Sequence, residues 1–577
     1  MDKKLATRLI DVCEGRAEAD LLVTNCKIVD VFNKTVFEGA VSVVDGHIAS
    51  FSPEVKAKRT LDAKGRYLLP GLIDAHCHIE SSHLSPAAYS DLVVAKGTTT
   101  VIADPHEICN VAGLDAMRYM LLASEGLPLS VYLMFPSCVP ATDSEHAGAV
   151  LLADSVAAMI GHERVLGLGE MMNYPGIAAA LPFVMDKLEC AYQAGKLIDG
   201  HAPDVKDRDL DAYAACRIRT DHECSTPEEL TERIRRGMYV ALRQGTACRN
   251  VLDLLPGVNA DNASRVMFCT DDCQPQSIME NGHIDYAVNL AIGAGMKPER
   301  AIAAATLNAA TCYRLADRGA IAPGLRADFI LSPSIEHIVA DEVFISGNLV
   351  AQGGRILKPA AHIRPEKVSG MMDVASFDES RLALPLKSDR ARVIGIIPGS
   401  VVTENLVEEV RRDADGLFVH DDGLDILKIA SIERHHGTGN VGVGLIKGYG
   451  MKRGAVATSI SHDSHNIIVV GSDDKDMAVA VKELIATGGG ITMVQDGKVL
   501  MTHTLEIAGL MTDRDAHTVY EELAKMHEIA YGQLGVPKDI DPFMTLSFMA
   551  LPVIPALKIT DSGLFDVTAF SFTDINP

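Results

Sequence analysis

The chain has 577 residues, 47% hydrophobic and 23% charged, enough core material for several domains at roughly 100–200 residues each. That composition excludes a disordered chain and a disulfide miniprotein. With 53 Lys+Arg against 77 Asp+Glu the net charge is −24, a surface that repels phosphate backbones and anionic membranes, so no nucleic acid and no membrane is expected as partner.

The first residues, MDKKLATRLIDVCEGRAEAD, carry acids and no apolar core, so they do not read as a signal peptide. No apolar stretch reaches the roughly 18–20 residues of a membrane span, and a cytoplasmic location is expected. The 12 cysteines include no CxxC pair, which disfavours a zinc ribbon or a thioredoxin-like redox site.

Residues 20–66 alternate apolar and polar positions between turns (ADLLVTNCKIVDVF, AVSVVDGHIASF), the pattern of short antiparallel strands. The same texture returns after residue 320 in APGLRADFILSP and ADEVFISGNLVAQGG. Segments 1–68 and 319–360 are therefore expected to form one small β domain. From 69 to 318, short apolar strands (TTTVIADPH, PLSVYLMFP, RVLGLGE, KLIDGH, IRTDHE, RVMFCTDD) alternate with helical stretches (SPAAYSDLVVAK, DSVAAMIGH, TPEELTERIRRGMYVALRQG, PERAIAAATLNAATCYRL). This predicts an α/β fold, a (β/α)8 barrel with its active site at the C-terminal strand ends. Residues 361–390, with Pro365 and Pro385, read as a linker, and 391–577 as a further α+β domain.

The strongest local signal is PGLIDAHCHIESS, where an apolar strand runs into His76 and His78 on one face, able to grip one metal ion. Further strand ends carry Asp104, His106 and Glu107, then Glu170, His201, His222 with Glu223, and Asp271 with Asp272. Charged groups at so many successive strand ends are hard to explain as packing, because burying unpaired charge is costly. Four histidines and two carboxylates without thiolate suit Zn, Mn or Fe. LGLGE ends in Glu, so a carboxylated-lysine bridge has no candidate.

These stretches, with DPHEICNV and the C-terminal SISHDSHN, resemble the adenine deaminases of the amidohydrolase superfamily along essentially the whole chain. The resemblance implies a distorted TIM barrel, a small flanking β-sandwich domain built from both ends of the barrel segment, and a C-terminal α+β domain. It implies two divalent ions, Mn²⁺ or Fe²⁺ favoured over Zn²⁺. His76, His78 and Asp271 would hold the more buried ion, His201 and His222 the other, with Glu170 bridging. A metal-activated hydroxide would attack C6 of adenine, giving hypoxanthine and ammonia, with Asp271 as base. The acid that protonates N1 is Glu107, Glu223 or His106, and the residues do not choose among them. Related single-metal deaminases place Glu in an HxxE segment, where this chain has His201-Ala-Pro-Asp204.

His462 and His465 are expected either to reach substrate as part of a lid or to form a domain contact. Asp272 and His283 are expected behind the ligands, orienting them, or on solvated loops. Gly437–Gly442 fits GxGxxG without a following ribose-binding acid, so nucleotide binding there is disfavoured. The competing readings are a metal-dependent amide or N-acetyl hydrolase and a catalytically dead scaffold. Adenine, water and a second copy in a homodimer are the expected partners.

Overall fold

The computed structural model describes residues 2–363 and 366–577, so Pro365 of the expected linker lies outside them. Both flanks of the barrel segment join in one nine-stranded ladder, spliced where Phe329–Ser332 runs antiparallel to Tyr67–Pro70. Alternation buries Val23, Ile28, Val41, Phe329 and Phe344, the last two stacked at 4.6 Å. The ladder is mixed and departs from the antiparallel expectation: Leu21–Asp30 lies parallel to Thr60–Asp62 and Tyr67–Pro70. Residues 51–59 carry the chain back across the sheet, so the returning strands align with the first.

The barrel strands are β1 (Leu72–His78), β2 (Thr98–Ala103), β3 (Ser130–Phe135), β4 (Val165–Met171), β5 (Leu197–Gly200), β6 (Thr220–Asp221), β7 (Tyr239–Arg243) and β8 (Val266–Cys269). β1 through β5 form one parallel ladder and β6 through β8 another. Between them the Arg219 amide donates to the Ile198 carbonyl at 2.8 Å. On the other side, Asp271–Asp272 continues β8 and pairs with Cys77 and His78 of β1. That pairing sets Asp271 beside the β1 histidines. β7 corrects the sequence reading, which placed MYVALRQG inside a helix. The helix Pro227–Arg235 ends there because Gly237 adopts a left-handed φ of 83°, and Tyr239–Arg243 is extended and buried.

Eight further strands, from Arg390–Ile396 to Lys498–Thr504, form the C-terminal sheet. The helix Asp474–Thr487 covers it, capped by Asp473 at its start and by left-handed Gly488 at its end. Residues 459–466 connect Ala455–Thr458 to Ile467–Gly471 and press against the barrel mouth. Arg434, fully buried, donates to the carbonyls of His465, Met371 and Ala508 and fixes that loop from behind. Leu382, Leu384 and Leu386 of the expected linker are buried. Among the described residues no helix is long and apolar enough to cross a membrane.

Candidate metal centre and active site

His76 and His78 leave β1 on the same face, and their Nε2 atoms approach to 3.2 Å. The Nδ1 of His78 sits 2.9 Å from the Asp104 carbonyl, which assigns the proton to Nδ1 and leaves a lone pair on Nε2. Glu170 Oε1, at the end of β4, lies 2.9 Å from His76 Nε2 and 3.0 Å from His78 Nε2. Asp271 Oδ1 lies 3.4 and 3.2 Å from the same two nitrogens. The other oxygen of Glu170 is 3.0 Å from His201 Nδ1, which is 3.3 Å from His222 Nε2. The ring of His222 stacks on that of His76 at 4.1 Å. Structure thus brings together all six ligands expected from the sequence.

Their fit to a divalent cation rests on unsatisfied atoms and on charge. Glu170 Oε1 is buried and, despite its two close nitrogens, has no hydrogen bond in acceptable geometry. Converging lone pairs around one point are the donor set that a metal ion completes. Burial opposes charge on the imidazoles, yet Glu170 and Asp271 draw His76 up to about 10 and His78 well above its ordinary value. Burial likewise opposes charge on Glu170 and Asp271, and the histidines hold both far below the carboxylate range. The cluster requires positive charge, which a divalent ion supplies in place of those protons.

Glu107 follows β2, and two histidines of the 459–466 loop of the C-terminal domain grip it. His462 Nδ1 is 2.7 Å from Glu107 Oε1, and His465 Nε2 meets Glu107 Oε2. The Ser461 amide donates to His465 Nδ1 at 3.1 Å, so Nε2 carries the proton and donates to Glu107. These three residues cluster as metal ligands do, but that tautomer makes His465 a donor and not a ligand. Burial raises the Glu107 pKa, and His462, His465 and His106 more than reverse it. His462 is itself held up at about 9 against its burial, chiefly by Glu107. Glu80, Glu107, Asp272, His462, His465 and Phe548 line one cavity, with Phe548 stacked on His462 at 4.4 Å.

The remaining expected residues separate. His106 lies 3.4 Å from Glu107 and 3.9 Å from Glu170, between the cluster and the cavity. Glu223 is tied to Arg243 and does not line the cavity. Asp272 lines it and accepts from Ser81. His283 is buried, not on a solvated loop, and its partners are Thr98, Tyr89 and Asp74, so it contacts none of the six expected ligands. Arg243, at the end of β7, escaped the sequence reading together with its strand. It lies 3.4 Å from Asp271 and carries the positive charge between Asp271 and Glu223. An arginine ending an apolar YVALR run after glycine was the available signal.

Histidines and carboxylates gathered at the C-terminal ends of a parallel barrel define a metal-dependent hydrolase of the amidohydrolase type, and the amidohydrolase family model matches residues 67–350. A second model, the adenine deaminase C-terminal domain, matches residues 400–571. The adenine deaminase of Nitratidesulfovibrio vulgaris strain DP4 is 52% identical over 573 residues, covering 99% of each chain. Adenine deaminase 2 of Desulfotalea psychrophila is 49% identical over 575 residues, covering 100% of each. Among solved structures, an enamidase of the amidohydrolase superfamily aligns with 60% of this chain and 98% of its own at 19% identity and a TM-score of 0.44. The chain belongs to the adenine deaminase family.

Proposed function

We propose that the protein hydrolyses adenine to hypoxanthine and ammonia, with the ring seated in the cavity between barrel mouth and C-terminal sheet. The observation that carries this reading is Glu107, which lines the cavity and is gripped by His462 and His465 at its far side. The donor set would suit two divalent ions, and the family resemblance favours Mn²⁺ or Fe²⁺ over Zn²⁺: His76, His78 and Asp271 would hold one and His201 and His222 the other, with Glu170 facing both groups. Such ions lower the pKa of bound water toward neutrality.

Asp271 is kept as a carboxylate and is placed to take the first proton of the attacking water as the C6–O bond forms. Glu107, supplied with a proton by His462, gives it to N1 of the ring. Of the three candidate acids, it is the one that lines the cavity. The C6–N bond then breaks, the amine leaves as ammonia with the proton held by Asp271, and the hydroxyl proton restores the acid. Arg243, beside Asp271 and Glu223, favours the charged carboxylate of Asp271 at the start of the cycle and its return once the proton has left with ammonia. A cytoplasmic homodimer completes the proposed reading.

The test is ammonia release with the ultraviolet change from adenine to hypoxanthine, on protein stripped of metal and reloaded separately with Mn²⁺, Fe²⁺ or Zn²⁺. Turnover that requires metal and saturates near two ions per chain is the expected result. Two bound ions without turnover of adenine would move the reading to an amide hydrolase.

A further inference from the structure

A second cavity opens at the opposite end of the barrel, about 420 Å³ in volume, at the N-terminal ends of β5, β6 and β7. Five cationic side chains line it: Lys196, Arg217, Arg219, Arg236 and Arg314. Of these, Arg236 is neutralised by Asp211 and Glu232, each at 2.6 Å. The other four form no ion pair among the described residues. Lys196 donates to the His162 carbonyl at 3.0 Å and to the Val165 carbonyl, which leaves one ammonium proton for a ligand; Arg219 donates to the Cys312 carbonyl at 2.8 Å and Arg314 to the Gly195 carbonyl at 3.0 Å. Carbonyl partners orient these groups and leave their charge in place. Arg219 also lies over the Tyr239 ring at 5.1 Å.

In a chain of net charge −24, four unneutralised cations around one concavity run against the overall composition. Two of them also sit where glycine would be the easier residue. Arg217 follows the helix Asp207–Ala215 and Arg314 the helix Ala309–Cys312, with left-handed φ of 59° and 58°. A cation near a helix C-terminus is favourable there, but that accounts for each arginine singly and not for their convergence with Lys196 and Arg219.

We propose that this cavity binds a small phosphate-bearing anion. Arginine forks match phosphate oxygens in pairs, and a cavity of this size accepts anything from free phosphate to a mononucleotide. The anion would bridge Lys196, just before β5, to Arg217 and Arg219, just before β6. Those strands belong to separate ladders, and their far ends carry His201 and His222. Binding would therefore add a second tie across the barrel seam, below His201 and His222.

The test uses the full-length, metal-loaded protein, titrated calorimetrically with inorganic phosphate and, separately, adenosine 5′-monophosphate. The variant is Arg217→Gly with Arg314→Gly, which removes two charges while relieving both left-handed positions, so it stays folded. Saturable binding with one site per chain, weakened about 100-fold in the variant (one order for each lost charge-assisted contact), supports the site. Tighter binding of the nucleotide identifies a nucleotide site, and equal binding a phosphate site. The midpoint of thermal unfolding should rise with the anion in the parent and not in the variant. No saturable binding into the millimolar range, or binding unchanged in the variant, overturns the proposal; the latter would place the anion at the metal centre.

Discussion

Glu170 offers one oxygen to His76 and His78 and the other to His201, so its two ends are not equivalent. Glu170→Gln should cut metal content from the two proposed ions per chain to one or none, measured by elemental analysis after gel filtration. Asp271→Asn keeps the size and a coordinating oxygen but cannot take a proton; turnover should fall by roughly 10²–10⁴ with metal still bound. At Glu107, the Gln substitution removes the proposed proton donor to N1 and should lower kcat by a similar factor of roughly 10²–10⁴, with a smaller change in KM. Near-normal kcat would return the acid role to Glu223 or His106. Legibility at this scale followed the strand ends. Every candidate ligand sat just past an apolar run, where strand geometry and barrel topology agree. Arg243 stayed hidden because its strand was read as helix. The pairing of Glu107 with His462 and His465 spans more than 350 residues, as their separations of 355 and 358 show, and no local pattern encodes it.

Among the elements, β7 shows how a local reading fails. TPEELTERIRR has the capping box and charge pattern of a helix, and the apolar run after it continues a plausible helical face. What ends the helix is the left-handed turn at Gly237, and what makes the next run a strand is pairing with β6 and β8. Lys558, on the strand Leu557–Thr560, gives a prediction with a sign. Burial lowers its pKa to about 7 while it donates to the Val401 and Phe548 carbonyls at 2.8 and 3.0 Å. Between about 7 and the unfolded value near 10.5 the unfolded chain binds the extra proton, so folding stability rises with pH across that window. Denaturant midpoints from pH 7 to 9 should therefore rise more steeply in the parent than in Lys558→Met, where no such proton exists. Equal slopes would show that the lysine is not held neutral. Because Phe548 stacks on His462, the same variant reports on the cavity wall through KM.

For the molecule as a whole, the C-terminal domain supplies one wall of the cavity at the barrel mouth, and Arg434 is the buried joint that fixes its 459–466 loop. Replacing Arg434 by Met leaves three carbonyls without their donor and should cost roughly 3 kcal/mol or more of stability, read from denaturant midpoints. Metal removal acts on the barrel: buried carboxylates and histidines lose the cation that reconciles them. Chelation should lower the melting temperature and reloading restore it, by the mass action of a ligand that binds only the folded state. An unchanged melting temperature would mean that the cluster is reconciled by protonated histidines instead.

The alternation of strands and helices, the spacing that sets His76 and His78 on one face, and the chemistry of a nitrogen and oxygen donor set without thiolate are all written in the order of residues. These are local properties, carried by side-chain periodicity over a few residues. Tertiary structure decided what depends on distant chain segments: that Asp271 joins β1 through a short parallel pairing, that β7 is a strand, that Glu107 is gripped from the C-terminal sheet, and that four cations meet beneath the β5–β6 seam. The physical reason is that burial and charge pairing are settled by which surfaces meet in space.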